Sequence, residues 1–175
     1  MKLSITTAGM LLALLFTLTG VRAGTASPAA QAEIRLQAWQ VQTVVEHGAK
    51  KERLQPLQQI RPGDVVEYEA RYLNGTGKAA RDVQLTLPVP VGGLQYLPGG
   101  NADMPVHSAS LDGQRFEPVP LRREVLTPDG RRTMQDVALS EYRFLRWNLG
   151  DLPAGAQRAV RARMQLPPVA GASRL

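Results

Sequence analysis

The 175-residue chain contains no cysteine. That excludes disulfides, Cys-ligated zinc, iron–sulfur clusters and a thiol nucleophile. Two histidines, His47 and His107, are too few for a His-rich metal site. Aromatic residues make up only 5% of the chain, which leaves little for a base-stacking surface. No apolar run reaches the ~20 residues of a membrane-spanning helix. Nor does any segment after the N-terminal region hold a 3.6-residue apolar stripe of helical length. With 16 Gly and 13 Pro, the chain is rich in turn formers without being of low complexity. Its formal charge is +6, from 21 Lys and Arg against 15 Asp and Glu.

The N-terminus has the layout of an export signal. Lys2 is followed by an uncharged stretch from Ala8 to Val21, centred on Met10–Phe16, and then by Val21-Arg22-Ala23. A short basic start, an apolar centre and small residues at a cleavage point form the signal-peptide pattern. Residues 1–23 are therefore expected to be removed, placing the rest in the periplasm or at the cell surface. Processing takes away Lys2 and Arg22 and lowers the charge to +4. Residues 24–32, small and polar, read as a flexible lead-in. Residues 167–175, rich in Pro, Gly, Ala and Ser, read as a flexible tail.

Between them, residues 33–166 read as strands. Ile34, Leu36 and Ala38 alternate with Arg35 and Gln37. The clearest case sets Val66, Tyr68, Ala70 and Tyr72 against Glu67, Glu69 and Arg71. Val83, Leu85, Leu87 and Val89 form another set, and Val160, Ala162, Met164 and Leu166 form the last. The polar run Glu46–Lys51 reads as a hairpin loop. Pro128-Asp129-Gly130 divides Leu121–Thr127 from Arg131–Val137 as a hairpin does. Short strands with a turn signal every ~8–12 residues predict an antiparallel β-sandwich.

Three segments sharpen this. They are Ile60-Arg61-Pro62-Gly63-Asp64 leading to Tyr68 and Asn74-Gly75-Thr76-Gly77; Val83–Pro90 with Gly93–Gly99; and Arg146-Trp147-Asn148-Leu149-Gly150-Asp151-Leu152-Pro153-Ala154-Gly155. In this order they resemble the bacterial cell-surface conserved-repeat domain of unknown function, present here as one copy. The resemblance implies an immunoglobulin-like β-sandwich in an exported protein, and supplies no catalytic residues. Pro62, Gly63, Asp64, Tyr68, Trp147, Gly150, Pro153 and Gly155 are its structural positions, with Trp147 expected in the core.

Little in the chain points to a reaction. His107 and Ser108 are adjacent and so face opposite sides of a strand. Glu67 and Glu69 share one face, about 7 Å apart, as a hydrolase's carboxylates do. Their alternation with apolar residues instead predicts a solvated face where they meet Arg or Lys across strands. Asn101-Ala102-Asp103 lacks the density of a calcium loop, and Asn74-Gly75-Thr76, which fits a glycosylation sequon, reads as a turn. No cofactor, metal or nucleic acid is expected. Arg122, Arg123, Arg131 and Arg132 flank one turn and predict a compact basic patch, suited to anionic lipid, lipopolysaccharide or an acidic protein. Arg158, Arg161 and Arg163 predict a second basic row. The expectation is a non-catalytic envelope module that binds a protein or glycan partner.

Overall fold

The structure, a computed structural model, describes residues 31–99 and 103–169. The expected signal peptide, most of the lead-in and the end of the tail lie outside these residues, as do Asn101 and Ala102. The described residues are all-β, in antiparallel sheets consistent with a β-sandwich. Its strands are β1 (Ala32–Glu46), β2 (Ala49–Pro56), β3 (Val65–Asn74), β4 (Ala80–Pro88), β5 (Gln95–Leu97), β6 (Ser108–Ser110) and β7 (Glu117–Pro118), followed by β8 (Arg122–Leu126), β9 (Arg132–Asp136), β10 (Phe144–Leu152) and β11 (Gln157–Gln165). One sheet has the order β2-β1-β3-β11-β5, and the second β4-β10-β6-β7. β8 and β9 form a separate hairpin.

Turn chemistry sets the connections. The β1–β2 loop is only His47-Gly48, both at positive φ (53° and 77°), as a two-residue hairpin turn requires. The rest of the expected loop, Glu46 and Ala49–Lys51, is paired strand. Pro62-Gly63 make a tight turn in which the Asp64 N–H donates to the Arg61 carbonyl at 2.9 Å. Gly63 takes φ 93° at its third position, where a side chain is strained. The same turn ties down the end of β11: the Gly63 N–H donates to the Leu166 carbonyl at 2.7 Å.

The core lies between β3 and β11 on one side and β4 and β10 on the other. Ala70 packs with Val160, Ala162 and Met164 on one sheet and with Leu85, Leu87, Leu145, Trp147 and Leu149 on the other, while buried Val66 pairs in register with Met164. Trp147 is fully buried, and its indole N–H donates to the Met104 carbonyl at 3.1 Å. A bulge re-phases β10. Asn148 pairs with Gln84, but Gly150, at φ 69°, already pairs with Val83. That extra residue lets Trp147, Leu149 and also Leu152 point inward, although simple alternation would turn Leu152 out.

β1 alternates like the core strands but does not fill the core. Ile34, Leu36 and Ala38 pair with Tyr72, Ala70 and Tyr68 and so share their inner face. Yet Ile34 is 65% exposed and Leu36 54%. The cause is an offset between sheets. β3 leads into β4, and β10 into β11, through short corners at 75–79 and 153–156. These corners stack β4 over β3 and β10 over β11, so no described strand lies over β1 or β2.

Candidate functional site

The outer face of β3 carries the carboxylate pair. Glu67 is 3% exposed and Glu69 5%, so the expectation of a solvated face is corrected. Arginines from β11 lie over them. Arg163 Nε donates to Glu67 at 2.9 Å, and its two terminal nitrogens donate to Glu52 at 3.0 and 2.7 Å. Arg161 Nε donates to Glu69 at 2.9 Å and stands 3.8 Å from Glu67. Arg71 also donates to Glu69, at 2.8 Å. The acids thus meet arginines across strands as expected, and Arg161 and Arg163 of the expected basic row are neutralised by them, whereas Arg158 falls on the other strand face, opposite Tyr72. Burial pushes the Glu69 carboxyl up, but the hydrogen bonds from Arg161 and Arg71 outweigh it and hold the group below its ordinary value. Half-buried Trp39 pairs in register with Glu67 and closes the row on the β1 side.

The basic hairpin forms as expected at 122–136, but its register separates its charges. Arg122 pairs with Asp136 at the base, and Leu126 with Arg132 near the tip. Arg122 and Arg123 are thus about 13 Å along the strand from Arg131 and Arg132, instead of in one patch. Each has a carboxylate: Arg122 with Asp136 (3.0 Å), Arg123 with Glu141 (2.7 Å), Arg131 with Asp129 (3.3 Å) and Arg132 with Glu124 (3.2 Å). A cleft of about 330 Å³ opens at the hairpin base, floored by Ala109, Leu121 and Val137 and rimmed by Arg115, Arg122 and Arg123. Asp112 and Glu117 also line it, so its charge is nearly balanced. Tyr142 pins the base, its hydroxyl accepting the Leu121 N–H at 2.8 Å.

Other expected positions are structural in placement. His107 is exposed and Ser108 buried, on opposite faces. Asn74 is fully buried, with its amide nitrogen 2.9–3.0 Å from the carbonyls of Lys78, Leu152 and Pro153. Its backbone N–H donates to the Ala156 carbonyl, and its carbonyl accepts from Gly155, which has φ 73°. One side chain therefore locks the two crossover corners together. The sequence signal was present in Asn-Gly-Thr, since Thr76 hydrogen-bonds the Asn74 oxygen at 2.6 Å. The turn reading named the loop and missed the clamp.

The free edge of β4 was not singled out by residue reading. The Val89 N–H donates to the Arg143 carbonyl at 2.8 Å. Alternation then aims Leu87 and Leu85 at β10 and turns the backbone groups of Gln84 and Thr86 outward. From Val83 to Pro88 this edge has no charge. By contrast, the β2 edge carries Lys50, Lys51, Glu52 and Arg53, the usual guard against strand addition. Compared with known proteins, the chain matches no family profile, no curated protein and no solved structure.

Proposed function

We propose that this protein is an exported, non-catalytic module of the bacterial envelope, immunoglobulin-like in fold, that presents a sheet edge to another envelope protein or glycan. The signal-like N-terminus and the motif resemblance support export. The antiparallel two-sheet arrangement is consistent with the fold. The observation that carries the reading is the uncharged, outward-facing backbone of β4 beside the exposed apolar face of β1. The groups best suited to chemistry are otherwise engaged: Glu67 and Glu69 are bonded to arginines, and the hairpin arginines to acids.

Fractionation and in-cell photocrosslinking from positions along β4 test this. A processed chain in the envelope, crosslinked to one partner, is expected. A full-length chain in the cytoplasm refutes the localisation. Crosslinking at the β8–β9 tip alone moves the partner site to the hairpin.

A further inference from the structure

Resting on that reading, we infer that the protein carries a strand-shaped acceptor slot, walled by the edge of β4 and floored by β1, for a single extended peptide segment of a partner. Three observations converge on it.

The wall offers hydrogen bonds. Gln84 and Thr86 each turn an N–H and a C=O away from β10, and both residues are exposed. The wall also has defined ends. Pro88 has no N–H to give. At the other end Asp82 takes φ 49°, and its N–H donates to the Asp151 carboxylate at 3.0 Å. The usable stretch is therefore about five residues, short enough for a peptide and bounded on both sides.

The floor offers burial. β1 pairs from Ala32 opposite Asn74, and β4 begins just past the Asn74 corner. Both strands run away from that corner, so Ile34 and Leu36 lie alongside the first half of β4. A strand hydrogen-bonded to β4 would stack over β1 at the ordinary sheet separation of about 10 Å. Alternate side chains of that strand would then cover Ile34 and Leu36, with Tyr68 and Tyr72, half-buried against the core, alongside. Among the described residues nothing occupies this position.

The shape selects the occupant. β1 projects past β4 under the vacant place. A second folded copy pairing through its own β4 would bring its β3 into the space that β1 already holds. An isolated strand meets no such obstruction. Because the wall is uncharged and the floor apolar, the fitting segment is neutral, with apolar side chains at every second position. Backbone pairing supplies the affinity and the alternate pockets the selectivity, as in other strand-addition complexes.

The test uses the full chain and a capped synthetic peptide, acetyl-Val-Gln-Leu-Thr-Leu-amide, whose neutral alternating pattern meets these requirements. Binding is followed by calorimetry and by amide exchange. Saturable binding is expected, with at least ten-fold slower exchange of the Gln84 and Thr86 amides. Thr86→Pro removes one outward N–H at an edge where proline is tolerated, and Leu36→Lys charges the floor at an exposed position. Each should weaken binding at least ten-fold while circular dichroism and the melting temperature stay put. No saturable binding up to millimolar peptide overturns the proposal, as does equal binding by both variants. A peptide-free dimer that Thr86→Pro dissolves also overturns it, by assigning the edge to a second copy. In-cell crosslinking to a partner that ignores both substitutions would refute the slot and leave the module reading standing. Peptide binding by a chain that stays full-length in the cytoplasm would do the reverse.

Discussion

Replacing Arg163 with Met should destabilise the protein more than replacing Arg161 with Met, although the two lie on the same strand face. The difference lies in what each leaves behind. Without Arg163, the Glu67 carboxylate, whose side chain is 4% exposed, keeps only Arg161 at 3.8 Å. Without Arg161, Glu67 keeps Arg163 at 2.9 Å and Glu69 keeps Arg71 at 2.8 Å. Orphaning a fully buried ion costs about 3–5 kcal/mol. The remaining arginine offsets part of that, giving about 2–3 kcal/mol for Arg163→Met. Arg161→Met removes a half-exposed guanidinium from acids that stay paired, and about 1 kcal/mol is expected. At roughly 3–4 °C per kcal/mol for a domain of this size, the melting temperatures should fall by about 6–12 °C and about 3–4 °C. Urea titration read by tryptophan fluorescence gives the free energies, provided the slope is unchanged. The double variant Glu67→Leu with Arg163→Met should recover to within about 1 kcal/mol of the parent, because an apolar pair leaves no orphaned charge. Equal losses for the two arginines, or a double variant no better than Arg163→Met, would refute the reasoning.

Three further outcomes follow from the same geometry. The Glu69 carboxyl is held low by Arg161 and Arg71, so its contribution is complete above its unfolded value of about 4.3 and is lost as pH falls through the lower folded value. The stability gap between the parent and Glu69→Gln should therefore narrow on acidification below pH ~4, and a gap that widens there would contradict it. Asn74→Ala leaves the corner carbonyls of Leu152 and Pro153 without their donor and should cost about 3 kcal/mol by urea titration; a loss below about 0.5 kcal/mol would show that the corners hold without the clamp. Tyr142→Phe orphans the buried Leu121 N–H and should cost about 1–3 kcal/mol, with faster Leu121 amide exchange, whereas unchanged exchange would mean the hairpin base does not depend on that hydroxyl.

The turns were legible because their chemistry is local. Pro62-Gly63, His47-Gly48 and Pro128-Asp129-Gly130 need only their own φ values to act, and each makes a tight turn where the residues say it should. Trp147 was legible as core because its alternation continues on both sides. Glu67 and Glu69 were legible as a shared face but not as buried groups. Their burial comes from Arg161 and Arg163, 92 and 96 residues away in the chain from Glu69 and Glu67 respectively, and no local pattern reports that. The hairpin arginines follow the same rule: their turn is local and legible, but their spacing along the strands and their pairing with Asp136 and Glu124 depend on the register.

β1 shows most clearly where pattern stops. Ile34-Arg35-Leu36-Gln37-Ala38 has the alternation of Val66-Glu67-Tyr68-Glu69-Ala70, and the register places the two apolar sets on one face. Alternation says which face is apolar; it does not say whether anything covers that face. Coverage here depends on where the chain changes sheets. The corners after Asn74 and Leu152, locked by the Asn74 amide, put the second sheet over β3 and β11 and leave it one strand short over β1. Moving the crossover by one strand would bury Ile34 and Leu36 with no change in their own sequence. The same clamp that completes the core therefore leaves the slot beside it open, and Asn74→Ala should loosen both, lowering stability and weakening peptide binding together. Leu36→Lys should weaken the binding alone.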